Sequence, residues 1–231
     1  MSLAPGNYRN VFAVVRKLEL QCARIPGSVK LLVVSKTIPA AVIRELYDEC
    51  AVREFAENRI TELTGKAAAL PGDIKWHFIG TVQSNKIRKI VQNAGFIHSI
   101  SSVEQILRLD RIAAEEGKSP EFLLEVNVSG EASKGGLKPE ELFEAAGVAA
   151  RCTAARWRGL MTMAPADADD DMLNEVFSTL AGLNAECEND FDIELPELSM
   201  GMSGDFPIAI ACGSTIVRVG SRIFDGVERI S

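Results

Sequence analysis

Short apolar segments alternate with helical segments eight times along the chain of 231 residues. Several of them, such as VKLLVVSKT, are short runs of β-branched and leucine residues, typical of strands covered on both faces of a parallel sheet. Each strand and its following helix take up about 29 residues, a repeat length typical of a (β/α)8 TIM barrel. This is the α/β fold that the pattern predicts. The predicted strands cover residues 29–37, 53–58, 74–80, 96–100, 122–128, 156–161, 195–200 and 214–220.

A further helix is predicted before the first strand. Residues 8–23 place Val11, Val15 and Leu18 on one face at helical spacing. An open, doubly wound sheet with fewer strands is the alternative topology, but eight strand segments favour the closed barrel. No linker rich in Pro, Gly or Ser divides the chain, so residues 1–231 are predicted to form a single domain.

Composition excludes several classes of protein. The net charge of −7 argues against a surface that binds nucleic acid or an anionic membrane. Five cysteines without paired spacing predict free thiols in a reducing cytoplasm. The chain shows no secretory pattern and no apolar run long enough to span a bilayer, so a cytoplasmic protein is predicted. Two histidines and no CxxC motif predict no metal site.

The first predicted strand ends in a lysine, Lys36. Active sites of barrels of this kind are built at the carboxyl ends of their strands. A lysine amine in such a place can condense with an aldehyde. The alternative is that Lys36 merely solvates the end of the strand.

Two loops near the C-terminus favour a phosphate site. SMGMSGD (199–205) follows the seventh predicted strand and VGSRIF (219–224) ends the eighth. Small residues in these loops leave backbone N–H groups accessible, at strands where this fold often binds phosphate. Ser203 can cap a short helix and donate its hydroxyl group, while Gly220 and Ser221 can offer N–H groups. Two ordinary turns are the alternative interpretation.

A phosphate site opposite an aldehyde-reactive lysine narrows the ligand class. It describes pyridoxal 5′-phosphate (PLP), and equally a Schiff-base aldolase that acts on a sugar phosphate. Composition and spacing do not choose between these two.

A set of motifs makes that choice. VVSKT, F-A-EN, WHFIGTVQSNK, VNVSGEASKGG, GLMTM, LSMGMSGD and GSTIVRVGSRIF occur in this order across residues 33–224. With them the chain resembles the pyridoxal-phosphate homeostasis protein family, single-domain relatives of the N-terminal barrel of bacterial alanine racemase. The resemblance implies that Lys36 holds PLP as a Schiff base. It also implies phosphate contacts from Ser203, Gly220 and Ser221, an Arg218 directed at the pyridine nitrogen, and a pocket lined by Asn58, His77, Ser199 and Met200.

The implied role of Arg218 has a chemical consequence. Arginine only donates hydrogen bonds, so it favours a pyridine nitrogen without a proton. An aspartate partner would keep that nitrogen protonated and make the ring a stronger electron sink. The ring is therefore expected to stabilise carbanions poorly. Without the resemblance, Arg218 is equally well interpreted as half of a structural ion pair.

A two-base racemase is poorly supported by the sequence. The chain leaves no room after the eighth strand for the second domain that, in the racemase, supplies an opposing tyrosine. Its two tyrosines, Tyr8 and Tyr47, fall in predicted outer helices. We therefore expect a monomeric PLP carrier or buffer that passes the cofactor to PLP-dependent apo-enzymes. It is expected to have no catalytic residues and little or no turnover. The alternative is a PLP-dependent amino-acid enzyme such as a weak racemase.

Overall fold

The computed structural model describes residues 2–131 and 134–230. Eight parallel strands form one closed barrel in chain order, with the first strand paired to the last, which confirms the predicted (β/α)8 barrel. The strands are β1 Lys30–Val34, β2 Glu54–Glu57, β3 Lys75–Phe78, β4 Phe96–Ile100, β5 Glu121–Glu125, β6 Arg156–Met161, β7 Glu197–Ser199 and β8 Ile216–Val219.

Helices surround the barrel and connect its strands. They are α1 Ala4–Gln21, α2 Ala40–Cys50, α3 Ile60–Ala69, α4 Ile87–Asn93, α5 Val103–Glu115, α6 Pro139–Ala149, α7 Asp170–Phe191 and α8 Phe206–Ala211, with a 3-10 turn at Ser84–Lys86. The extra N-terminal helix, α1, is confirmed, but it begins before residue 8 because Pro5 occupies its first turn, where no N–H group is needed. In the part of the chain that the structure describes, none of the helices has the length and apolarity that crossing a bilayer requires.

Apolar side chains pack on both sides of the barrel wall. One core lies between the strands and the helices, and a smaller one fills the interior of the barrel. The interior core consists of Leu32, Val34, Ala56, Phe96, Leu123, Met161 and Ile216. Because side chains alternate across a strand, this set identifies which other strand residues face inward.

Charged residues at the beginnings of the strands close the amino end of the barrel. Lys30 Nζ lies 3.1 Å from Glu54 Oε2, and Lys75 Nζ lies 2.6 Å from Glu121 Oε2. Arg158 Nε lies 3.3 Å from the other oxygen of Glu121. Paired charges of both signs can therefore occupy this end without leaving an isolated ion there. We call these five residues the barrel floor.

Candidate functional site

The ends of β1 and β8 are held close together at the opposite rim. The two strands pair with Val33 opposite Val219, and Gly220 follows directly. A Cβ atom on Gly220 would lie 2.8 Å from the carbonyl oxygen of Val34 and 3.3 Å from its Cβ atom. Only glycine allows this approach, because any side chain would meet the β1 backbone. The structure thus brings the turn that carries Lys36 next to the loop that carries Ser221.

Lys36 lies in the turn directly after β1, where its side chain is exposed. Val34 belongs to the interior core, whereas Ser35 faces outward and its hydroxyl group donates to Glu57 Oε1 at 2.6 Å. Lys36 follows Ser35 in the turn at the carboxyl end of β1, at the rim of the barrel. The exposed side chain leaves its amine accessible from solvent.

A buried lysine, Lys66 of α3, holds this turn from behind. Its Nζ atom donates to the carbonyl oxygen of Ser35 at 2.8 Å and to Glu57 Oε1 at 2.7 Å. Glu62 of the same helix accepts the N–H group of Thr37 at 2.8 Å. Thr37 has a φ of 61°, a left-handed conformation that a β-branched residue keeps only under tertiary restraint. We call Ser35, Glu57, Glu62 and Lys66 the Lys66 cluster; it fixes the residues on both sides of Lys36.

The pKa values of the two carboxyl groups in the Lys66 cluster shift in opposite directions. Burial raises the pKa of Glu57 and outweighs its hydrogen bonds with Lys66 and Ser35. Burial also opposes ionisation of Glu62, but the N–H group of Thr37 and the ammonium group of Lys66 lower its pKa below the ordinary value. Glu57 therefore depends on Lys66 to remain a buried anion.

Arg218 of β8 is buried inside the barrel with 4% of its surface exposed. Its Nη1 atom donates to the carbonyl oxygen and to the hydroxyl oxygen of Ser199, each at 2.7 Å, and Nη2 donates to Thr162 O at 3.0 Å. Burial lowers the pKa of Arg218 to about 10, so it remains a cation near neutral pH. The ion pairs among the described residues do not include Arg218, so the structural ion pair is not found there.

His77 lies deep in the barrel rather than at its rim. Its ring packs against Phe96 and His98, with ring centroids 5.1 Å apart in each case. It reaches Ser199 through His98, which the sequence did not predict to belong to the site. Burial lowers the pKa of both histidines, so both are neutral near neutral pH.

The loops after β7 and β8 offer unused backbone donors. The N–H groups of Ser203, Gly204, Ser221 and Arg222 donate to no acceptor within residues 2–131 and 134–230. The predicted helix cap at Ser203 is wrong, because α8 begins at Phe206 and the residue before it is Asp205. The Asp205 carboxylate instead accepts the N–H group of Met202 and so shapes the loop.

Asn58 and Met200 occupy different environments. Asn58 follows β2 at the rim and is partly buried. A Cβ atom on Gly80 would lie 1.9 Å from the carbonyl oxygen of Asn58, so Gly80 is needed for this packing. Met200 is fully buried in the outer core, on the opposite side of the strand from Ser199. The structure therefore places Ser199 on the interior side, beside Arg218, and leaves Met200 among residues that face the helices.

The described ranges contain no group of three His, Cys, Asp or Glu side chains arranged to hold a metal ion. The potential donors are an amine and backbone amides at the rim and a guanidinium group inside the barrel, which suit an aldehyde and a phosphate rather than a metal.

Comparison with known proteins places the chain in a family. The family described as alanine racemase, N-terminal domain, matches residues 11–226. The pyridoxal phosphate homeostasis protein of Vibrio alginolyticus is 40% identical over 231 residues, which cover 97% of each chain. The chain belongs to the pyridoxal phosphate homeostasis protein family. The homeostasis protein of Deinococcus radiodurans is 41% identical over 214 residues, or 93% of this chain and 97% of the relative.

A solved member of the family has the same fold. PipY of Synechococcus elongatus with PLP bound is 39% identical, with a TM-score of 0.81 over 90% of this chain and 98% of PipY. Its structure without PLP gives a TM-score of 0.83 over the same shares. The alanine racemase of Clostridium difficile, at 14% identity and a TM-score of 0.72, shares the fold over 95% of this chain and 56% of the racemase.

Proposed function

We propose that the protein binds pyridoxal 5′-phosphate as a Schiff base on Lys36 and acts as a carrier or buffer of the cofactor. The observation that carries this proposal is the packing of Gly220 on Val34, which holds the turn that contains Lys36 beside a loop with unused N–H donors. The relationship to PipY, which has been solved with PLP bound, supports the same ligand.

The phosphate group has a matching set of donors. The N–H groups of Ser203, Gly204, Ser221 and Arg222 belong to the two adjacent loops, and none of them is used within the described chain. Because the protein carries a net charge of −7, a phosphate dianion has to be held by local donors of this kind. These four groups and the Lys36 amine would hold the two ends of one small molecule.

Arg218 would set the reactivity of the cofactor. PLP supplies an aldehyde that condenses with amines and a ring that can accept electrons. A buried guanidinium group has only donors, so it would hold the pyridine nitrogen as an acceptor and keep a proton from it. The ring would then stabilise a carbanion weakly, which supports little or no turnover.

Release to other proteins follows from the position of Lys36. The exposed turn at the barrel mouth would let another amine reach the Schiff base and exchange for the lysine. PLP-dependent apo-enzymes carry such amines, so we propose them as recipients. The five cysteines are free thiols, which is compatible with the cytoplasmic location that the sequence predicts.

One observation favours the second candidate, a weak amino-acid racemase. Glu125 shares the interior side of β5 with Leu123, and burial raises its pKa although Arg218 lowers it. A carboxyl group that can hold a proton is a candidate acid or base. Tyr8 and Tyr47 lie on α1 and α2, outside the barrel, and do not supply such a group.

The lysine assignment is tested by visible absorption and borohydride reduction of the PLP-loaded protein. We expect a Schiff-base band in the native protein and in Lys89→Ala, a control at an exposed lysine of α4. The band should be absent in Lys36→Ala, and reduction should attach PLP to the peptide that contains Lys36. An unchanged band in Lys36→Ala overturns the assignment. Racemisation of any amino acid at an ordinary enzymatic rate, lost in Glu125→Gln, would favour the racemase instead.

A further inference from the structure

A continuous line of polar side chains crosses the interior of the barrel. His77 Nδ1 lies 2.9 Å from His98 Nε2, and His98 Nδ1 lies 2.8 Å from the hydroxyl oxygen of Ser199. At one end, His77 Nε2 lies 3.3 Å from Glu54 Oε2 at the barrel floor. At the other end, the Ser199 hydroxyl oxygen accepts from Arg218. We call Glu54, His77, His98 and Ser199 the core relay.

The Glu54 end fixes the direction of the hydrogen bonds. Burial opposes ionisation of Glu54, but His77 and Lys30 together lower its pKa to about 2, so it is an anion. When an imidazole nitrogen lies 3.3 Å from an anionic oxygen, the tautomer that carries the proton on this nitrogen is favoured, because a lone pair there would face the negative charge. His77 is neutral, so a proton on Nε2 leaves Nδ1 as the acceptor. His98 must then donate through its own Nε2 atom.

The Arg218 end independently favours the same direction. Since Arg218 only donates, the Ser199 oxygen receives a hydrogen bond and its own hydrogen is left to donate. His98 Nδ1 is within reach as the acceptor at 2.8 Å. In the reverse direction Ser199 would accept from both Arg218 and His98, so its own hydrogen would lose His98 as an acceptor, and His77 would point a lone pair at Glu54. Only one arrangement satisfies both ends of the core relay.

We propose that His77 and His98 are positioning residues, which act through Ser199 to fix the Arg218 guanidinium group towards the cofactor. The relay holds the Ser199 hydroxyl in one orientation, with its lone pairs facing Arg218. Glu54 acts on His77 through its charge at 3.3 Å, and because each hydrogen bond from His77 to Ser199 polarises the next, this charge strengthens the acceptor at Ser199. The role in cofactor binding depends on the proposed function, whereas the direction of the relay does not.

The direction is tested by nitrogen NMR of the protein without added PLP. The chain contains two histidines, so the spectrum reports four ring nitrogens. We expect both rings to be neutral, with the proton on Nε2. Glu54→Gln should produce a second tautomer, because the anion that sets the direction is lost. Glu121→Gln, at the other carboxylate of the barrel floor, should leave the spectrum unchanged.

Either ring with its proton on Nδ1, a charged ring, or equal spectra for the two glutamine variants would overturn the proposed direction. Glu54 keeps 29% of its side-chain surface exposed, so Glu54→Gln is a mild change that the fold should tolerate.

The positioning role is tested by titrating His98→Phe and Ser199→Ala with PLP. Each variant should bind PLP about tenfold more weakly, the size expected from one hydrogen bond to a charged group, with a shifted absorption maximum. The double variant should bind PLP only slightly more weakly than either single variant, since both changes act through the same bond to Arg218. Unchanged affinity and absorption in both single variants would overturn the role. If the native protein takes up no PLP, the proposed function fails, while the NMR result still decides the relay.

Discussion

The Nζ atom of Lys66 lies 2.7 Å from Glu57 Oε1 in a pocket from which water is almost fully excluded, directly behind the turn that carries Lys36. Lys66 is 5% exposed and Glu57 is fully buried. The pair therefore does not act as a surface ion pair. It ties α3 to the ends of β1 and β2, and so gives a short exposed turn a rigid support.

Lys66→Met should destabilise the protein by about 3–5 kcal/mol, because it leaves the Glu57 carboxylate buried without a cation. Burial already raises the pKa of Glu57, so this carboxyl should take up a proton in the variant. Denaturant unfolding measures the loss. Replacing both partners, in Lys66→Met with Glu57→Leu, should recover much of the stability, because no fully buried charge is then left, although Glu62 still loses its 3.3 Å contact with Lys66. A double variant as unstable as Lys66→Met would contradict this account.

Glu62→Ala should weaken PLP binding with a smaller effect on stability. The N–H group of Thr37 loses its acceptor, so the left-handed residue next to Lys36 is no longer held. We expect a loss of about 1 kcal/mol in unfolding free energy, together with a clear rise in the dissociation constant of PLP. Arg59→Ala is the matched control, since the 3.9 Å contact of Arg59 with Glu62 is solvent-exposed and should contribute little. Equal PLP affinity in both variants would show that Glu62 does not contribute to PLP binding.

Gly220→Ala should disrupt the rim where β1 and β8 meet. The added methyl group would lie 2.8 Å from the carbonyl oxygen of Val34, and this backbone atom cannot move independently of β1. We expect a loss of about 1–3 kcal/mol in stability and weaker PLP binding. Gly72→Ala is the control, in the loop before β3 and outside the proposed site, because nothing lies within 4 Å of the position of its added Cβ atom. Both variants are compared by denaturation and PLP titration, and equal losses in the two would refute the argument.

The sequence predicted the barrel because each strand carries its own local pattern, but it overran most strand ends. The first strand was predicted over residues 29–37 and ends at Val34. The reason is non-local, since the turn at Thr37 is held by Glu62, 25 residues away. Local patterns contain no information about such partners.

The same limit explains what was missed or misplaced in the candidate site. His98 was overlooked because its partners, His77 and Ser199, are 21 and 101 residues away. The Ser203 cap failed because α8 begins later than its Gly/Ser loop indicated. Met200 was grouped with Ser199 from its motif, although alternation along a strand predicts that neighbours face opposite sides.

Stability should fall as the pH is lowered from about 6.5 to 5. Burial lowers the pKa of His77 and His98 from the ordinary value of 6.5, with a larger shift for His98, to which the neighbouring His77 and Arg218 contribute. Below pH 6.5 the two histidines are therefore protonated in the unfolded chain but remain neutral in the folded chain. The free energy of unfolding then falls by about 1.4 kcal/mol per histidine for each pH unit. The loss should stop once the pH falls below the folded-state values.

Carboxyl groups act differently in this interval, so a variant is needed to isolate the histidines. Glu54 has a pKa of about 2 in the folded protein and an ordinary pKa of 4.5, so its contribution to stability is lost only when the pH falls below 4.5. Burial raises the pKa values of Glu57 and Glu125, and these groups gain stability as the pH falls. His98→Phe removes one of the two histidines in the chain and changes no carboxyl group. Denaturant unfolding from pH 7 to 5 should give a slope shallower than that of the native protein by about 1.4 kcal/mol per pH unit, whereas parallel curves would mean that His98 takes up its proton in the folded state.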